Sequence, residues 1–406
     1  MAVVTTRGAS HPPTLRLVLV LGAMVAFGPL TIDLYLPALP DIETDLATTS
    51  ARVQLTLTAT LVGLALGQLV VGPLSDAFGR RRPLIYGTAI HVSATVACLF
   101  VPNIELLTLM RVLQGVGGAS TAVVTMAIVR DLYSGTAAAK LLSQLMLVLG
   151  VAPVLAPSLG GLILRWTSWR GVFVLLAVAG VTMMALARFA IAETLPPERR
   201  RRSGFMPVVR TYWRLLHDRP LVGLTLTAGF GMGALFSYVS GSTFVLQDRY
   251  GLNAQQFGFT FGAMAVFLIA GTQLSGRLVS RITSYHLLLV SSVAAVGFSS
   301  VMVLTSIVDL GLAGFLLPLA ATLMSLGVAM PNAPAIALSR HGEAAGTTAA
   351  LLGAARFVIG AAAAPLVGVL GNDAIALSIV VAVSLAVALA ALLLLAPRMA
   401  MGPLPD

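Results

Sequence analysis

Along this chain apolar residues gather into runs of about twenty or more, separated by short polar or charged stretches. The runs fall roughly at 15–39, 53–75, 84–101, 104–129, 140–165 and 170–191, and then at 220–245, 254–277, 285–306, 309–331, 345–369 and 374–396. Crossing about 30 Å of hydrocarbon takes about 20 helical residues, so the pattern predicts an all-α membrane protein with twelve transmembrane helices. The first run is too long for the core of a signal peptide and is expected to be retained as a span. An even number of spans puts both termini on one side of the bilayer.

Composition removes the soluble alternatives. Of 406 residues, 58% are hydrophobic and only 10% charged, against about 25% charged in a soluble domain. Lipid is the solvent in which so few charges suffice. The net charge of +10 does not point to nucleic acid, because the basic residues sit in clusters between apolar runs rather than along an aromatic-laced face. The single cysteine, Cys98, excludes a disulfide framework and any cysteine-built zinc site. No phosphate-binding glycine loop occurs and the five histidines are scattered, so neither ATP nor a metal is expected and no cofactor is required.

Positive charge then sets the orientation. With the termini inside, eighteen Lys/Arg residues lie on the cytoplasmic side, among them Arg7, Arg80 to Arg82, Arg130, Lys140, Arg199 to Arg202, Arg210 and Arg398. Four lie outside: Arg52, Arg165, Arg170 and Arg249. This asymmetry predicts cytoplasmic termini. The longest hydrophilic stretch, 193–219, carries Pro196-Pro197 and the four arginines from Arg199 and reads as a solvated linker. The expected domains are therefore an N-terminal six-helix bundle (1–192), the basic linker (193–219) and a C-terminal six-helix bundle (220–406). The halves echo one another: Gly67, Gly72 and Leu74 match Gly271, Gly276 and Leu278 at a constant offset, with Leu69 and Leu274 one position out of step. Six-helix halves related by a parallel repeat are a transporter architecture with a site near midplane.

Ionisable groups inside a bilayer are costly and mark function by default. Asp33 is the one acid well inside a span, about 10 Å from the outer end of the first helix at 1.5 Å per residue. Arg111 falls at a similar depth in the fourth. Asp33 is the candidate proton carrier. The alternatives are a permanent tie to Arg111 or backbone, and a solvated position at the outer mouth. Arg111 either exchanges partners with Asp33 or ties helices together through backbone carbonyls. Arg188, near a helix end, snorkels to the interface. Arg356 falls near midplane in the C-terminal half with no acid at its depth, which suits acceptor-rich substrates, lipid or backbone. Carrying Asp33 and Arg111 forward by the repeat offset lands on Ser237 and Phe315, so the pair is not duplicated. Phe236, Tyr238 and Ser242, with Ser240 and Phe244, are candidates for the wall of a cavity for amphipathic ligands, as is Tyr35 beside Asp33.

The stretch Gly72-Pro-Leu-Ser-Asp76-Ala-Phe-Gly79-Arg80-Arg81-Arg82 resembles the signature loop of the major facilitator superfamily. Physically, Gly72 is expected to permit close helix approach, Gly79 a tight turn, and Asp76 with Arg80 a charged clasp. Arg111-Val-Leu-Gln114-Gly115-Val-Gly117-Gly118-Ala119 is similar to the family's fourth-span motif, which implies proton coupling for Arg111 and adds Gln114 to the cavity candidates. The run from Gly150 through Pro153, Pro157, Gly160 and Gly161 resembles the exporter motif of the fifth span. It departs from the usual glycine–proline pair by having Ala156 before Pro157. Its glycines suit close packing and its prolines suit bends. With Asp33-Leu-Tyr35-Leu-Pro37-Ala-Leu-Pro40 and Pro331-Asn332-Ala-Pro334, the chain looks like the Bcr/CflA branch of drug:proton antiporters. That resemblance implies a monomeric, proton-driven exporter of small amphipathic drugs, phenicols among the candidates, in the cytoplasmic (inner) membrane. It also implies a gate-bracing role for Asp76, Arg80, Arg130 and Asp131. Transport of an endogenous metabolite is the alternative.

Overall fold

The structure is a computed structural model that describes residues 15–133, 135–200, 212–341 and 345–397. Arg7, Arg201, Arg202, Arg210 and Arg398, counted above on the cytoplasmic side, lie outside them. Every regular element among the described residues is helical: α1 (Leu15–Asp33), α2 (Leu39–Asp45), α3 (Ser50–Phe78), α4 (Arg81–Cys98), α5 (Ile104–Leu132), α6 (Gly135–Ile163) and α7 (Trp169–Phe189). They continue with α8 (Arg219–Phe244), α9 (Ala254–Leu278), α10 (Ser284–Ile307), α11 (Gly311–Ala329), α12 (Asn332–Arg340), α13 (Ala345–Ala363), α14 (Leu366–Val369) and α15 (Ala374–Leu395). Eleven segments among the described residues are long and apolar enough to cross a membrane. The twelfth predicted span corresponds to α4, 18 residues long and opening with Arg81 and Arg82.

Polarity is distributed as lipid demands. Large apolar side chains such as Val70, Val174, Val178, Val290 and Leu317 are exposed, while Gln54, Thr88, His91, Thr95, Arg111, Gln114 and Thr125 are fully buried. Polar groups find partners only in the interior, because hydrocarbon offers none.

The chain divides into two compact units. The first comprises Met1–Thr48 and Ala59–Ser203. In it α1 packs on α5, α6 and α7, and α4 on α5 and α7, around a core that includes Leu21, Met24, Val124, Ile128, Leu141 and Leu145. Glycines bring backbones together: a Cβ on Gly63 would collide with the Val112 carbonyl, and one on Gly67 would sit 2.6 Å from the Val116 carbonyl oxygen. The second unit comprises Thr49–Thr58 and Gly204–Asp406. Here α8 packs on α13 and α15, and α11 on α9 and α10, with a core that includes Leu221, Leu224, Leu288, Ile336 and Leu392. Within it the buried Gln54 donates to Asn372 Oδ1 at 2.7 Å and accepts from the Gly368 amide at 3.0 Å.

Two expectations change. The motif from Gly72 to Phe78 is helical, the last turns of α3, and only Gly79, at φ +91°, makes the turn. Gly72 has nothing within 4 Å of its Cβ position, so it does not serve close packing. Gly67 and Gly63, about one and a half and two and a half turns earlier, do. Pro153 and Pro157 lie inside α6, which runs unbroken through both.

Candidate functional site

The first span breaks beside Asp33. Helix α1 ends at that residue, a short 3-10 turn covers Leu36–Ala38, and α2 follows. The sequence explains the break: Pro37 has no N–H for the carbonyl four residues back, that of Asp33, and Pro40 repeats the defect one turn on. The segment beyond is fastened by Asp45, whose Oδ2 accepts from Trp169 Nε1 at 3.0 Å and Arg170 Nη1 at 2.6 Å. The break itself lies against α6. A Cβ on Gly160 would collide with the Leu34 carbonyl and sit 3.3 Å from Pro37 Cγ, so Gly160 of the fifth-span motif is small because helix one opens there. Gly161 is buried beside it, and Gly150 partly buried.

Asp33 is 6% exposed, and no hydrogen bond or ion pair of its carboxylate occurs among the described residues. Arg111 is fully buried and does not bridge it. Its Nη1 donates to the Thr31 carbonyl at 3.1 Å and to Gln114 Oε1 at 2.8 Å, and its guanidinium lies 4.0 Å from the centre of the Tyr35 ring. A cation at the carbonyl end of α1 suits both the unpaired last-turn carbonyls and the helix dipole, and the face of Tyr35 adds a cation–π contact. Arg111 Nε and Nη2 have no hydrogen-bond partner among the described residues. The interior of the first unit thus holds an acid and a base, each short of the partner it would take in a closed salt bridge.

His91, not singled out by the sequence pattern, completes the network. Its Nδ1 donates to the Gln114 carbonyl at 2.9 Å, and its Nε2 lies 3.5 Å from Thr31 Oγ1. Gln114 Nε2 donates to Thr95 Oγ1 at 2.7 Å, and Thr95 in turn to the His91 carbonyl at 2.7 Å. One continuous path therefore joins α1, α4 and α5. Tyr35 and Gln114, expected on a cavity wall, are fully buried parts of it.

The second cluster lies where α3 meets α4. Arg80 donates from Nη1 to Asp76 Oδ1 at 2.5 Å and to Ser75 Oγ at 2.9 Å, and from Nε to Asp131 Oδ2 at 2.8 Å. Burial alone pulls the Arg80 pKa down, but its bonds to Asp131 and Asp76 outweigh that and raise it. Sequence reading missed Glu193. Its carboxylate accepts from the backbone amides of Arg80 at 2.8 Å and Arg81 at 3.3 Å, an anion at the N-terminus of α4 where free amides and the dipole favour one. A Cβ on Gly79 would collide with that carboxylate. Thr194 adds a bond to Asp131 at 3.0 Å, and Arg81 donates to the Arg188 carbonyl. Arg130, expected here, is exposed, with no hydrogen bond or ion pair among the described residues.

In the second unit the cavity candidates separate. Phe236, Tyr238 and Ser242 are buried between helices, Tyr238 stacked on Phe261 at 5.2 Å. A cavity in this unit is lined instead by Arg356 with Thr227, Ser292, Met330 and Leu385. Arg356 donates from Nη2 to the Met330 carbonyl at 3.0 Å, while its Nε has no hydrogen-bond partner among the described residues. Ser237 and Phe315, at the repeat positions of Asp33 and Arg111, are both buried, and Ser237 donates to its own helix at the Gly233 carbonyl. No group of three His, Cys, Asp or Glu residues suited to a metal ion occurs among the described residues.

A family model described as "Major Facilitator Superfamily" matches residues 19–365. The chain is 37% identical over 371 residues to an uncharacterized MFS-type transporter YdgK of Bacillus subtilis, covering 90% of this chain and 92% of that one. It is 32% identical to a bicyclomycin resistance protein homolog of Haemophilus influenzae (89% and 90% covered). It is 30% identical to a chloramphenicol resistance protein of Pseudomonas aeruginosa (82% and 79%). Among solved structures, a D-xylose-proton symporter superposes with a TM-score of 0.71 at 12% identity, covering 91% of this chain and 96% of that one.

Proposed function

The chain belongs to the Major Facilitator Superfamily, a multi-pass transporter and not an enzyme, and from that premise we propose that it exports small amphipathic drugs in exchange for protons. Relatives named for bicyclomycin and chloramphenicol resistance support drug efflux. The observation that carries proton coupling is Asp33: a buried carboxylate with no bonded partner among the described residues, at a helix break, on the helix whose Thr31 carbonyl Arg111 holds. Taking up a proton there removes a buried charge from the helix whose Thr31 carbonyl Arg111 grips. That changes what the end of α1 prefers to contact, and a gradient does work only through such a difference between states.

In this reading Arg111, fixed by Gln114 and Tyr35, is the constant partner. The Arg80 cluster, with Asp76, Asp131 and Glu193, braces the gate on the cytoplasmic side. The halves 1–192 and 220–406 alternate access as bodies joined by 193–219. Drug binds on the C-terminal side where Arg356 lines a cavity. The protein acts as a monomer in the inner membrane on the proton gradient, with no cofactor.

The test uses proteoliposomes with an imposed pH gradient. Chloramphenicol should move against its own gradient, collapse with an uncoupler, and cease in Asp33→Asn although that variant still inserts. Undiminished gradient-driven movement in Asp33→Asn would remove Asp33 from the mechanism. Movement insensitive to the uncoupler would favour a channel, and proton flux triggered only by a metabolite would favour the endogenous-substrate alternative.

A further inference from the structure

His91 is a second buried titratable side chain in the first unit, and its geometry is unusually constrained. The ring meets Phe27 edge-on at 4.5 Å and 62°. Cβ atoms on Gly117 and Gly180 would come within 2.6 Å of the His91 backbone nitrogen and 3.8 Å of its Cδ2, so α5 and α7 close on it from both sides. A carbonyl only accepts, so the contact with Gln114 assigns the proton to Nδ1. The neutral ring then offers a lone pair at Nε2, 3.5 Å from Thr31 Oγ1. The single hydroxyl proton of Thr31 goes to the Phe27 carbonyl at 2.8 Å. Thr31 therefore has two acceptors in reach, one on its own helix and one on α4. Its own carbonyl is the group that Arg111 grips, and Asp33 follows two residues later.

We propose that His91 is a positioning residue for proton coupling. Its Nδ1–H pins the turn of α5 that aims Arg111 at α1, and its Nε2 receives the Thr31 hydroxyl when the end of α1 shifts with the protonation of Asp33. This rests on Asp33 being the proton carrier. The groups around the ring leave few other routes. From α1 it meets Phe27 and Thr31, with Asp33 beyond. From α5 comes Gln114, with Arg111 one turn away, and from α7 Gly180, the charges of that helix being Arg170 and Arg188 near its ends. On α4 itself lies Thr95, with Cys98 further along and Arg81 and Arg82 at the start.

The test is a pH titration of the purified full chain in nanodiscs, following the infrared band of protonated carboxyl that Asp33→Asn abolishes. His91→Asn keeps a donor for Gln114 but loses the Nε2 acceptor, and Thr31→Val removes the hydroxyl. Each should shift the midpoint by about half a pH unit or more. His91→Phe, which also removes the pin, should shift it further. Wild-type midpoints in His91→Asn and Thr31→Val would overturn the proposal, and they decide it even if His91→Phe fails to fold. A wild type without any band sensitive to Asp33→Asn would instead overturn the reading of Asp33, and this one with it.

Discussion

The two halves of the molecule share a packing device and differ in what they bury. At the repeat offset, Gly67 approaches the backbone of α5 at Val116, and Gly271 that of α11 at Met324. Gly72 and Gly276, the next matched pair, both face open space. Yet where the first half buries Asp33 and Arg111, the second buries Ser237, bonded to its own helix, and Phe315. The glycines answer a steric requirement common to both halves, the closeness of two helix axes. Under the proposed coupling through Asp33, the charges answer a requirement that only one half has to meet.

The largest effect separates the halves by chemistry. Asp33→Asn should abolish proton-driven transport, while Ser237→Ala at the matched position should leave it within about twofold, under ~0.5 kcal/mol; a loss in both would put proton handling in both halves. Next comes the shared device. Gly67→Leu and Gly271→Leu should each destabilise by roughly 1–3 kcal/mol through overpacking, while Gly72→Ala and Gly276→Ala should be nearly neutral. Thermal unfolding in detergent ranks the four, and a destabilised Gly72→Ala would restore the packing role its open surroundings deny it. A smaller effect is expected at the Arg80 cluster. Asp131, 15% exposed, should matter more than Asp76, 54% exposed, because solvent screens the second. Asp131→Asn should slow transport about tenfold, ~1.4 kcal/mol, and Asp76→Asn about twofold, with drug affinity unchanged in both. The smallest is Arg356→Ala, which should weaken drug binding a few-fold while proton uptake persists, by equilibrium binding and pH-electrode traces on the same sample.

Most of the fold was legible because lipid imposes a length and a polarity on every span. What escaped was whatever hydropathy does not measure. The stretch from Asp33 to Pro40 reads as apolar and continuous, so the break appears only when the missing donors of Pro37 and Pro40 are counted. Residues 76–78 fall beyond the apolar run 53–75 because hydropathy marks where hydrocarbon ends, and α3 runs on past that boundary. Glu193 sat at the start of a hydrophilic stretch and passed for a solvated charge; its bonds to the Arg80 and Arg81 amides join residues over a hundred positions apart. His91 looked like one scattered histidine because its partners lie on other helices. On the cavity wall, aromatic and hydroxyl character could not tell packing between helices from lining a cavity, and of the candidates only Arg356 lines the cavity found in the second unit.

Helix α4 carries a consequence for how the protein is made. Of its polar side chains, Thr88 bonds to its own helix at the Leu84 carbonyl, while His91 and Thr95 are bonded by one another and by residues of α1 and α5, and its 18 residues begin with Arg81 and Arg82. Released into lipid alone, such a segment would meet no acceptor for its imidazole and little to hold it across the bilayer. Such a span is expected to enter the membrane together with α5, which takes its hydrogen bonds. The side chains proposed to serve coupling would thus make this span depend on its neighbours at the translocon.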